Sequence, residues 1–162
     1  MNNIWAPWRI EYILADKSKG CFLCEAFAAD EDRERLILHR STHCAVVMNR
    51  YPYTGGHLMI CPYRHIAELS DLQPEESADL MLWTTRSVDA LREVMNPQGF
   101  NIGINLGEAG GAGLRDHLHM HIVPRWVGDT NFVSVLGDIR VIPQALTELG
   151  EQLRPALTAR AG

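Results

Sequence analysis

His117-Leu118-His119-Met120-His121-Ile122-Val123-Pro124 decides how this chain is read. Three histidines alternate with three apolar residues, and a proline closes the run. A β-strand sends successive side chains to opposite faces. The pattern therefore predicts a strand with His117, His119 and His121 on one exposed strip and Leu118, Met120 and Ile122 on a buried one. Imidazole is nucleophile, acid/base and metal ligand near neutral pH. Three of the chain's seven histidines fall within five residues, so the strip points to chemistry rather than to a His-rich surface strand.

Working outward, Phe100 to Leu106 alternates as well, with Ile102, Ile104 and Leu106 on one side and Asn101, Gly103 and Asn105 on the other. A glycine-rich loop, Gly107-Glu108-Ala109-Gly110-Gly111-Ala112-Gly113, joins it to the histidine run. Earlier strands are predicted at Leu36–Leu38, Ala45–Met48 and His57–Pro62, the last two separated by the turn Tyr51-Pro52-Tyr53-Thr54-Gly55-Gly56. The clearest helix starts near Ser70 to Pro74, with Ser70 or Asp71 as cap, Glu75 and Glu76 in the first turn and Asn96-Pro97 as the stop. Leu80, Trp83, Val88, Leu91, Val94 and Met95 approximate its apolar face. A last helix spans about Pro143 to Leu153. This order predicts an α+β domain with a mostly antiparallel, five-stranded sheet and helices packed on one face. The polar face of the sheet becomes a ligand floor.

Composition narrows the classes. With 162 residues, 46% hydrophobic and 22% charged, the chain reads as one globular domain. We divide it into an aromatic and proline-rich strap (1–20, with Trp5, Trp8 and Tyr12), a core with the ligand site (36–126) and a C-terminal segment and helix (127–162). A net charge of −5 argues against a nucleic-acid or anionic-membrane surface. No apolar run is long enough to span a bilayer, and the first residues lack a secretion signal, so a cytoplasmic protein is expected. Four cysteines there are reduced thiols or metal ligands rather than a disulfide framework.

The residues permit three chemistries. A glycine-rich loop beside imidazoles can turn several N–H groups toward an anion. A neutral imidazole there can attack phosphorus and split one substitution into two in-line steps. Separately, Cys21-x-x-Cys24 is a two-thiolate clip that two histidines would complete as a closed tetrahedral site; spacing alone offers His39, His43, His65 and His117. A three-histidine catalytic metal site is disfavoured, because i and i+4 on a straight strand lie about 13 Å apart.

The pattern His117-Leu118-His119-Met120-His121-Ile122-Val123 resembles the signature of the histidine triad (HIT) family. Asn49-Arg50-Tyr51-Pro52-x-x-Gly55-Gly56-His57-Leu58-Met59-Ile60-x-Pro62 resembles the family's nucleotide-binding strand pair, and Phe100 to Gly107 its strand before the loop. Trp5-Ala6-Pro7-Trp8-Arg9 and Pro124-Arg125-Trp126 through Asn131-Phe132 resemble the branch of diadenosine tetraphosphate phosphorylases and hydrolases. The likeness covers nearly the whole chain.

The resemblance implies that His119 is the nucleophile, that His121 orients it and helps bind the α-phosphate, and that His57 supports them. It places Val47 at the base, Asn49 at the ribose and Asn105, Gly113 and Trp126 with the nucleotide and its phosphates. Where many relatives carry Gln or Ser, four residues before the first motif histidine, this chain has Gly113, so only main-chain N–H groups remain there. Zinc-bearing bacterial relatives imply a structural Zn²⁺ on Cys21, Cys24, His65 and His117, and Mg²⁺ would accompany the substrate. The implied activity is cleavage of dinucleoside polyphosphates through a nucleotidyl-histidine, by phosphorolysis or hydrolysis, in a homodimer. The alternatives are a nucleoside phosphoramidase, a nucleotidyl-sugar or adenylylated-end hydrolase, or a nucleotide-binding protein with little turnover.

Overall fold

The computed structural model describes residues 20–111, 114, 116–129 and 144–162. Residues 1–19 of the strap, Ala112, Gly113, Arg115 and the stretch 130–143 with Asn131, Phe132 and Pro143 lie outside the described residues. The elements run α1 (Phe22–Ala28), β1 (Ile37–Arg40), β2 (Cys44–Met48), β3 (Leu58–Pro62), α2 (Pro74–Met95), β4 (Gly99–Ile104), β5 (Met120–Arg125) and α3 (Leu146–Thr158). They form one antiparallel five-stranded sheet in the order β1-β2-β3-β5-β4. Because β5 is antiparallel to both β3 and β4, those two run parallel with β5 between them. The connection through α2 therefore leaves a one-strand gap that β5 fills.

The period-2 pattern sorts the sheet into two apolar clusters. Leu38, Val46, Met48, Leu58, Ile60, Met120 and Ile122 face α2 and α3, meeting Leu80, Trp83, Leu91, Leu149, Leu153 and Leu157. Each fully buried Leu or Ile side chain contributes about 1.5–3 kcal/mol, so this cluster fixes the register. On the opposite face Ile37, Ala45, Val47, Met59 and Cys61 pack beneath Leu23 and Ala26 of α1. Thus the two long helices share one face as expected, and a third, short helix covers part of the other. Seven residues are too few for a stable isolated helix. The Arg40 guanidinium steadies this one by donating to the Phe27 and Ala29 carbonyls, at 3.0 and 3.1 Å, and to Asp32.

Several boundaries differ from the sequence reading. Neither Ser70 nor Asp71 caps α2. Leu69–Asp71 forms a 3₁₀ turn, and Gln73 is the cap with Pro74 behind it. The Glu76 carboxylate reaches back to accept from the Gln73 N–H at 2.8 Å. The stop is as read: Asn96 is left-handed (φ 48°) before Pro97. Helix α3 runs to Thr158, past the expected Leu153. Ile102 and Leu106, expected on a buried face, are 46% and 37% exposed. They sit on or just beyond edge strand β4, whereas α2 packs chiefly against β2, β3 and β5.

Candidate active site and metal centre

The three histidines do not form an exposed strip. His117, His119 and His121 are 0%, 7% and 8% exposed, and regular strand geometry begins only at Met120. What buries them splits them into two sites. His117 turns toward α1, with its ring edge-on to Phe27. His119 and His121 stay together, ring centroids 4.6 Å apart. The apolar partners behave as predicted, with Leu118, Met120 and Ile122 all buried.

The hydrogen bonds fix the tautomers. Asn49 Oδ1 accepts from the Tyr51 N–H at 2.9 Å, which turns its amide nitrogen toward His57 Nδ1, 3.3 Å away. The Tyr53 N–H also donates to His57 Nδ1, at 3.1 Å. Nδ1 is therefore an acceptor, and Nε2 of neutral His57 carries the hydrogen. That Nε2–H donates to His121 Nδ1 at 2.9 Å, so His121 in turn carries its hydrogen on Nε2. The Asn105 amide nitrogen lies 3.4 Å from that Nε2, a polar neighbour that does not take up its hydrogen, since both groups are donors. A protonated His121 would set two N–H groups against each other across the His57 contact. Burial, and then the neighbouring His119 charge, push the His121 pKa down to about 4.

His119 has the opposite polarity. Its Nδ1 lies 2.8 Å from the main-chain oxygen of His117. A carbonyl only accepts, so Nδ1–H donates and Nε2 keeps the lone pair. Burial lowers the His119 pKa, with the hydrogen bond to the carbonyl opposing. The pair thus presents a bare ring nitrogen beside a ring N–H, both neutral. Such a pair can attack an electrophile and donate a hydrogen bond to the oxygen that gains charge.

His117 Nε2–H donates to the Pro62 carbonyl at 2.8 Å, leaving Nδ1 directed at the thiols. Nδ1 lies 3.2 Å from Cys21 Sγ and 3.5 Å from Cys24 Sγ, and His65 Nδ1 is 3.4 Å from Cys24 Sγ. All four ligand atoms fall within 4.8 Å of one another. Tetrahedral zinc, with bonds of about 2.3 Å to sulfur and about 2.0 Å to nitrogen, sets S and N roughly 3.5 Å apart. Two thiols, two imidazole nitrogens and an outer carbonyl that fixes the ring fit a closed structural site. Without a cation, burial and then the adjacent Cys21 raise the Cys24 pKa. Cys44, pushed by burial up to about 12, and Cys61, fully buried, are protonated core thiols.

The other candidates fall as follows. His39 stacks on Trp83 at 3.9 Å, and the His43 main chain donates to Asp79; neither joins the thiols. Val47 shares a sheet face with Asn49 but is 3% exposed under α1. Trp126 begins a turn in which its N–H donates to Asp129. Gly107 and Gly111 take left-handed φ values of 65° and 81°; Gly113 lies outside the described residues. Sequence reasoning assigned no role to Tyr53 or to the Pro62 carbonyl. An aromatic residue four positions before His57, inside a Pro/Gly turn, was the available signal for Tyr53; a main-chain oxygen gives none.

Comparison with known proteins agrees with this layout. Residues 31–127 match the HIT domain model. The chain is 39% identical over 156 residues to the AP-4-A phosphorylase of Mycobacterium tuberculosis, covering 91% of this chain and 80% of that protein. It is 31% identical over 93 residues to the asymmetrical bis(5'-nucleosyl)-tetraphosphatase of Schizosaccharomyces pombe, covering 57% and 50%. Among solved structures, a zinc-bound histidine triad family protein from Mycobacterium smegmatis matches with a TM-score of 0.70 and 30% identity, over 88% of this chain and 96% of that one. Matching motif, sheet and overall sequence make this chain a member of the histidine triad family.

Proposed function

We infer that the protein cleaves dinucleoside polyphosphates, with diadenosine tetraphosphate as the best-fitting substrate, through a nucleotidyl-histidine at His119. One observation carries this reading: the His117 carbonyl holds His119 Nδ1–H and leaves Nε2 bare, beside an Nε2–H on His121. His119 Nε2 attacks the α-phosphorus, an N–P bond forms, and the bond to the bridging oxygen breaks. The leaving polyphosphate departs as a stable anion, so no strong general acid is required. His121 Nε2–H steadies a non-bridging oxygen, and Asn105 sits at the same point. Orthophosphate or water then attacks the adduct from the vacated side. The 39% identity to a protein named AP-4-A phosphorylase favours orthophosphate as acceptor.

Asn49 and Val47 are read as the ribose and base side of the site, with Gly113 and Trp126 at its phosphate and outer margins, all within a single domain whose core is 36–126. A Zn²⁺ on Cys21, Cys24, His65 and His117 would tie α1 to the segment entering β5, a structural role; Mg²⁺ would arrive with the polyphosphate. The open β4 edge with exposed Ile102 suits pairing with a second copy. No helix of the described residues is long and apolar enough to cross a membrane, and four free thiols suit the cytoplasm. The deciding experiment incubates the protein with diadenosine tetraphosphate, with and without orthophosphate. ADP plus ATP, appearing only with orthophosphate, is the expected result. AMP plus ATP would make it a hydrolase, and two ADP without orthophosphate would overturn attack at the α-phosphorus.

A further inference from the structure

One large aromatic stands at the site with no role in the chemistry above. Tyr53 is 41% exposed, yet its ring lies 4.6 Å from the His57 ring and 5.8 Å from the His121 ring, tilted by 41° and 35°. Those two imidazoles are 0% and 8% exposed. The tyrosine ring therefore lies against the histidine pair while the residue stays partly exposed. Its turn is held firmly. Thr54 Oγ1 donates to the Pro124 carbonyl at 3.0 Å. Gly56 is left-handed (φ 78°), and a Cβ there would come within 2.5 Å of Met95 Sδ and 3.2 Å of Leu91 and Pro124. The ring is placed by a pinned turn.

We propose that Tyr53 is a positioning residue whose ring shields the His57–His121 pair from water and so keeps His121 a neutral Nε2–H donor. The titratable groups that face His121 include His57 from just before β3, His119 from the segment entering β5, and Tyr53 itself; Asn105 adds a neutral amide from beyond β4. With burial the leading influence on His121, what covers it controls its charge. A second influence has the opposite sign, since an aromatic face within about 6 Å attracts a cation and would favour imidazolium. At 5.8 Å and a 35° tilt that attraction is weak, and exclusion of water dominates. The Tyr53 N–H that sets the His57 tautomer belongs to the main chain, so side-chain substitutions test the ring alone. The consequence for turnover rests on the function proposed above.

The test follows the His121 ring by ¹⁵N NMR titration in the full, metal-loaded chain, for Tyr53→Phe, Tyr53→Leu and Tyr53→Ala. Phe and Leu keep the cover, so the native protonation curve is expected for both. Ala opens it, and the His121 protonation constant should rise about tenfold toward that of free imidazole. The acid limb of kcat/KM should move in the same direction, with a smaller loss at pH 8 than at pH 6. An unchanged His121 curve in Tyr53→Ala overturns the proposal, and a curve moved the other way assigns the ring to cation attraction instead. Should Tyr53→Ala not fold, Tyr53→Leu still decides, because a displaced curve there contradicts shielding by bulk. Since the titration needs no substrate, a curve that moves as expected in a chain that cleaves no dinucleotide would fault the proposed function and leave the shielding intact.

Discussion

His117 and His119 stand two residues apart and use the same kind of partner to opposite ends. Each ring gives one N–H to a main-chain carbonyl at 2.8 Å, His117 from Nε2 to Pro62 and His119 from Nδ1 to His117. The nitrogen left bare is therefore Nδ1 in His117, which meets two thiols, and Nε2 in His119, whose ring stands edge-on to that of His121. Identical side chains two residues apart thus offer their lone pairs from different ring atoms through the placement of one carbonyl each, which the function proposed above reads as a metal ligand and a nucleophile. The lesson is that a histidine's chemistry is set by the acceptor on its other nitrogen.

The sharpest way to break this division is His119→Ala. Turnover of diadenosine tetraphosphate should fall by about 10³-fold or more while nucleotide binding, measured by calorimetry, is retained. Equal losses of binding and turnover would mean that His119 is a binding group rather than the attacking one. Next comes Cys21→Ser, on the metal side. Metal affinity should drop by more than about 100-fold, beyond the loss typical of an outer partner, read as metal content after dialysis against a chelator. Unchanged content would remove the thiol pair from the metal centre.

The smallest effect sharpens how the segment beside His65 is braced. Arg64, the neighbour of His65, donates from Nε and Nη to both oxygens of Glu76 at 2.6 Å. That ion pair, then the Gln73 N–H, hold the Glu76 pKa down to about 2. A carboxylate depressed in the fold stabilises fully above its unfolded value of about 4.3 and loses that contribution as pH falls to about 2. Glu76→Gln should cost about 1 kcal/mol at pH 7 in urea unfolding. The deficit should shrink below pH 4.3 and vanish near pH 2; a deficit that holds constant with pH would mean that the charge is not what matters.

Much of this was legible in the chain. Period-2 alternation gave the apolar faces, because strand geometry ties sequence parity to sheet face, as with Leu118, Met120 and Ile122. Asn96-Pro97 marked the end of α2, because a left-handed residue and a proline cannot continue a helix. The resemblance chose His65 and His117 over His39 and His43, a choice that spacing could not make: His39's stack on Trp83 is a tertiary contact with no local signal. Equally hidden was the burial of all three motif histidines. It depends on α1 and the Tyr53 turn folding over a face that alternation alone marks as polar. The cap at Gln73 was missed since Ser70 and Asp71 are better cap formers by residue type, and the 3₁₀ turn spends them first.

The slot between β3 and β4 has a consequence for how the molecule comes into being. Leu58 on β3 pairs with Ile122 on β5, so the histidine-bearing strand leaves the ribosome after both of its flanks and must thread between them. Bringing such distant partners together is slow compared with helix formation. Until that last strand docks, the chain has a half-built sheet with two bare inner margins and neither of its histidine centres. Under the function proposed above, competence to bind or react is expected only once β5 has docked.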